Sequence, residues 1–136
     1  MYTINFWPIL VSAIVSFGIG ALWYSPILFG KEWMALTKMN MDNMSDMKRG
    51  IGKFYVIQFV ASLVMFIVLG FAISATGVIG ASNGGIAGLL AWVGLILPVS
   101  LAGFMWKNEP GKLVLIETVN YLLVLAIGGA IIGAWQ

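Results

Sequence analysis

Four long apolar stretches alternate with polar ones along this chain, at roughly Ile4–Tyr24, Phe54–Thr76, Gly84–Trp106 and Leu113–Trp135. Each runs about 21 to 23 residues. A helix rising 1.5 Å per residue needs about 20 residues to cross the hydrocarbon core of a bilayer. The pattern therefore predicts an all-α integral membrane protein, a four-helix bundle of four spans in one domain over residues 1–136.

Charge then orients the spans. All seven Lys and Arg lie in two of the polar stretches. Lys31, Lys38, Lys48, Arg49 and Lys53 fall between spans one and two, and Lys107 and Lys112 between spans three and four. The positive-inside rule puts both basic loops in the cytoplasm and both termini outside. Trp7 and Trp135 would then sit at the outer interface, and Trp23, Tyr24 and Trp106 at the inner one. The first run has no basic leader and no small-x-small cleavage site, so it reads as a retained span rather than a signal peptide.

The connection from about Phe29 to Lys53 is the longest polar segment. Pro26 is expected to end span one, with Ser25 capping a short helix that starts at the proline. In this short interfacial or cytoplasmic helical segment Phe29, Trp33 and Leu36 would face lipid, while Lys31, Glu32 and Lys38 reach water. Asp42 is placed to cap a second short helix. Met44, Met47, Ile51 and Tyr55 recur at helical spacing and would carry that helix into span two. The two halves share Trp followed by Gly-Lys on the cytoplasmic side (Trp23 with Gly30-Lys31; Trp106 with Gly111-Lys112), which suggests a parallel repeat.

Composition narrows the function classes. The chain is 61% hydrophobic and 9% charged, against about 25% charged in soluble domains. The net charge of +2 follows from the topology, and no basic stripe suits nucleic acid. There is no Cys and no His, so the thiolate and the usual general base are both missing. With no pair of carboxylates inside the spans, an enzyme is disfavoured.

Some residues stand out chemically. Glu117 is the one acidic residue within an apolar run, about 7 Å beyond Lys112 along the helix axis. It reads either as a functional carboxylate or as a group paired with Lys53, Lys107 or Lys112. Ser16, Gln58, Ser62, Ser100, Glu117 and Asn120 fall at similar depth, with Pro98 freeing the carbonyl of Gly94 in the same layer. The layer is either one hydrogen-bonded cluster or vestibule, or separate polar contacts between helices. Glu117 is expected to face the interior with a lysine partner, beside Asn120 and Tyr121. Met39, Met41, Met44 and Met47 form a run of soft ligands that would suit Cu(I). Met44 and Met47 also fit a helix face lying on the membrane, and methionine is a common gap filler, so the run is read as packing with copper as the lesser alternative. No other metal or cofactor is implied.

Small residues mark packing faces: Ser12, Ser16 and Gly20 on span one, Gly84 and Gly88 on span three, Gly129 and Gly133 on span four. Such stripes let helices approach closely in lipid. Span four carries more of them than one neighbour would use, which points to a homo-oligomer or a partner complex.

Three segments carry a resemblance. "GALWYSPILFGKEW" from Gly20, "LVMFIVLG" from Leu63 and "PGKLVLIETVNYLLVLAIGGAIIGAW" from Pro110 resemble a family of small bacterial four-span membrane proteins known as a domain of unknown function. The resemblance implies a multi-pass inner-membrane protein and assigns no site residues. Two functions stay open: an accessory or structural subunit of a membrane assembly, and a small homo-oligomeric transporter or channel using the polar layer.

Overall fold

The computed structural model describes residues 5–25, 27–36 and 51–136, without the side chains of Ile51 and Phe54. Pro26, Asp42 and the Met39, Met41, Met44 and Met47 run lie outside the described residues. Among the described residues five helices follow in order: α1 (Phe6–Trp23), α2 (Gly30–Leu36), α3 (Ile51–Thr76), α4 (Ala81–Trp106) and α5 (Gly111–Ala134). Among the described residues, four of them are long and apolar enough to cross a membrane, α2 being the exception. The protein is an all-α, multi-pass helical membrane protein.

Local chemistry sets the helix ends. Asn5 caps α1 by accepting a bond from the Trp7 N–H at 3.1 Å. At the other end the Ser25 hydroxyl turns back to the Leu22 carbonyl at 2.7 Å, and so does not cap a helix starting at Pro26 as expected. The Gly30 N–H reaches the Ser25 carbonyl at 2.9 Å, and α2 starts four residues later than the sequence suggests. Gly30 makes this turn possible. A Cβ there would collide with the Tyr24 carbonyl and lie 2.7 Å from that of Ser25.

α3 ends at Gly77, whose φ of 72° is left-handed. The Val78 N–H bonds the Ile73 carbonyl and the Gly77 N–H that of Ser74, the paired pattern of a glycine C-cap. Helix α4 begins at Ala81, three residues before the apolar run. Midway it widens into a π turn, Trp92–Ile96, in which the Leu97 N–H bonds the Trp92 carbonyl. Pro98 accounts for it. Its ring displaces the preceding turn and it has no N–H to donate, so the ladder is relieved by an extra residue.

α5 is the centre of the bundle and touches each of the other four described helices. The core joins Ile9 and Ala13 of α1, Phe66, Leu69 and Ile73 of α3, and Val124, Leu125 and Ile132 of α5. Phe66 packs against Gly128, where a Cβ would overlap its ring. α4 adds no large buried side chain to this core. It docks by backbone. A Cβ on Gly84 would strike the Gly129 carbonyl and come within 2.9 Å of the Gly133 Cα, and one on Gly88 would strike the Leu125 carbonyl. The Gly80 N–H bonds the Gly133 carbonyl at 2.9 Å and pins the ends together.

These contacts reassign the small-residue stripes. Gly84, Gly88, Gly129 and Gly133 face one another within the chain, so their spacing is used up by α4 against α5. Ser12 is buried and its hydroxyl donates to the Gly128 carbonyl at 3.4 Å. Gly20 has open space where its Cβ would be. The two halves also differ. Trp23 is half-buried and bonded, whereas Trp106, its counterpart in the suspected repeat, is 84% exposed.

Candidate functional site

The basic-loop end of α5 gathers most of the polar chemistry. Three tryptophans from three elements donate to three consecutive residues there. Trp23 at the end of α1 bonds the Ile116 carbonyl at 2.9 Å. Trp33 of α2 bonds Glu117 Oε1 at 3.2 Å. Trp92, at the start of the π turn, bonds the Thr118 carbonyl at 2.8 Å. Successive helix residues are about 100° apart, so the three indoles approach α5 over an arc of roughly 200°. An indole is a donor only, and inside a bilayer it has no water to turn to. Helix carbonyls keep a second lone pair after the backbone bond, which is what Trp23 and Trp92 use.

Aromatic contacts close the same end. Trp23 packs on Phe29 with ring centres 4.5 Å apart, and Tyr24 meets Trp33 edge-on at 5.6 Å. Burial first, then the nearby Glu117 carboxylate and Tyr121, push the Tyr24 hydroxyl well above its ordinary pKa, so it stays a neutral phenol. Phe29 and Trp33 therefore turn inward rather than toward lipid as expected.

Glu117 takes a different partner from the expected lysine. Its carboxylate accepts from Trp33, while Lys112 pairs with Glu32 of α2 at 3.0 Å. Lys112 and Glu117 are five residues apart, about 140° around the helix, which sends the two side chains to different neighbours. Both members of the Glu32–Lys112 pair are substantially exposed, so it orients α2 more than it stabilises it.

The expected polar layer divides. Ser16, Ser62 and Asn120 are buried, Ser100 and Glu117 are half-buried, and Gln58 is exposed on α3. The Ser62 hydroxyl is satisfied by its own helix, at the Gln58 carbonyl 3.0 Å away. Equal depth did not produce one cluster because each residue's position around its helix decides what it meets. What does come together is a cleft of about 120 Å³ between α4 and α5, lined by Ser100, Gly103, Lys107, Glu109, Glu117 and Thr118 with Val99 and Val114. Asn108, in left-handed geometry at φ 54°, turns the loop so that the Glu109 carboxylate folds over Gly103.

Two buried polar atoms have no partner among the described residues: Thr118 Oγ1 and Asn120 Oδ1. Thr118 was not singled out by the sequence, nor was Trp92. A threonine beside an intramembrane Glu, and an indole in mid-span with a donor to satisfy, are the signals that would have marked them. Among the described residues no group of three His, Cys, Asp or Glu could hold a metal ion.

Residues 7–133 match the profile of a family described as "Protein of unknown function (DUF1761)". No curated protein matches, and no solved structure matches.

Proposed function

We propose, from the premise that the chain belongs to the DUF1761 family, that it works by binding: an accessory or structural subunit within a membrane assembly. One observation supports this above others. The half of the bundle away from the basic loops is apolar, including the groove of about 340 Å³ between α1 and α3 lined by Phe6, Trp7, Ile9, Leu10, Leu63 and Ile67. Ile9, Ile73, Ile132 and Phe66 are fully buried there, and Gly84 and Gly133 bring two backbones into contact. Ser12, also fully buried, directs its hydroxyl to Gly128. A polar solute crossing a single copy would meet hydrocarbon with no compensating groups. Without His, Cys or a described metal cluster, catalysis has little to draw on.

Reconstituted alone into liposomes, the protein should leave imposed proton and potassium gradients as stable as in empty vesicles. Gradient collapse that scales with protein content would favour the second reading, a homo-oligomeric transporter or channel. The cleft at Glu117 favours that alternative, as one end of a path that a second copy would complete.

The reading includes an orientation, with the basic loops in the cytoplasm of a bacterial inner membrane and both termini outside. Ala35 in α2 and Ile79 between α3 and α4 are both exposed. In intact cells an impermeant thiol reagent should label Ile79→Cys and spare Ala35→Cys. The reverse pattern would invert the protein.

A further inference from the structure

Helix α4 is held along one half and free along the other. Between Ala81 and Ala91 it lies backbone to backbone on α5 through the buried Gly84 and Gly88. The Gly80 N–H ties its start to the Gly133 carbonyl. From Leu97 to Trp106 no residue is buried. Here α4 stands off α5 across the cleft of about 120 Å³, with Val99, Ser100 and Gly103 on one wall and Val114 and Glu117 on the other.

Between the two halves lies a joint, the π turn Trp92–Ile96. Just beyond it, Pro98 has no N–H for the Gly94 carbonyl. A helix that lacks a ladder bond bends more easily there, and sharp kinks gather at prolines and π turns. Gly94 sits inside the turn, and an added Cβ would meet nothing within 4 Å. No neighbour braces the joint at that point. On the docked side the Trp92 indole is bonded to the Thr118 carbonyl at 2.8 Å, so the held half ends at a fixed point.

We propose that the Leu97–Trp106 half of α4 is a hinged arm that pivots at Trp92–Ile96 and opens and closes the cleft beside Glu117. The arm has ten residues and is about 15 Å long. A change of about 20° at the joint carries its tip about 5 Å. Lipid chains yield as the arm moves. The docked half cannot follow, because backbone there meets backbone. The Glu109 carboxylate, folded over Gly103, rides with the arm. Opening therefore changes both the space and the charge that face Glu117. The device goes beyond the subunit reading and does not depend on what the bundle docks against.

The test is the distance between paired spin labels, measured by pulsed double resonance in nanodiscs of phosphatidylethanolamine and phosphatidylglycerol. The chain has no Cys, so labels attach only where a cysteine is introduced. Ile127→Cys on α5 is the common reference, paired with Ile86→Cys on the docked half or Met105→Cys on the arm; all three positions are exposed. The 86–127 pair should give one narrow distance. The 105–127 pair should give two populations about 5 Å apart, or one broadened by that amount. Pro98→Ala restores the missing donor and should narrow the arm pair to the width of the docked pair. Gly94→Ala stiffens the joint without touching a neighbour and should narrow it too, which keeps the test open if Pro98→Ala fails to insert. An arm pair as narrow as the docked pair, or breadth that survives every variant that folds, would overturn the proposal.

Discussion

Gly129→Ala should destabilise the folded bundle by about 3 kcal/mol, near the upper end of what overpacking costs. The added Cβ meets the Gly84 carbonyl oxygen, sits 3.1 Å from its carbon and lies 3.2 Å from the Gly88 nitrogen. These atoms are backbone and cannot swing aside, so α4 must move off α5. Gly84→Ala should cost as much, since it presses back on Gly129 and Gly133. Gly20→Ala provides the contrast. Nothing lies within 4 Å of its added Cβ, and alanine favours a helix over glycine by up to about 1 kcal/mol. It should be neutral or stabilising. Unfolding in graded denaturing detergent measures all three. Taken as an interface to an oligomer or a partner, the Gly129 and Gly133 stripe predicts that bulk there releases an intact, inserted monomer. The structure predicts instead that the monomer itself loosens, and equal stability of Gly129→Ala and Gly20→Ala would refute the α4–α5 contact.

Trp33→Phe should loosen α2 from α5 at a cost of about 1.5 kcal/mol, the lower range for a hydrogen bond to a charged group. The ring contact with Tyr24 survives the change, but the Glu117 carboxylate loses its indole donor. Removing both partners should cost less than the sum, because Trp33→Phe with Glu117→Gln leaves no charge without a donor. Thermal unfolding of the two single variants and the double one gives the coupling directly. Additive effects within about 0.3 kcal/mol would mean that the two side chains act independently.

The spans were legible because lipid imposes a simple rule on length and polarity, and the helices end within three residues of the apolar runs. Glu117 was legible for the same reason, as a charge where none is cheap. The direction each side chain takes around its helix was not. Gln58 and Ser62 share the depth of Glu117 yet sit on another face, and a one-dimensional depth count cannot separate them. Trp33 lies among Lys31 and Glu32, which suggested an outward face. A seven-residue helix is too short for periodicity to place a single ring, and the donor requirement of the indole decided it. The glycine stripes marked close approach without naming the partner. That choice depends on Gly80, which precedes α4, and on Gly84 and Gly88 within it falling opposite Gly133, Gly129 and Leu125 respectively.

The subunit reading faces its most direct test in the intact mass of the assembly extracted from native membranes in a mild detergent. The account predicts a complex in which this chain is accompanied, in fixed stoichiometry, by at least one different membrane protein. A homogeneous oligomer of this chain alone, at any copy number, would contradict it.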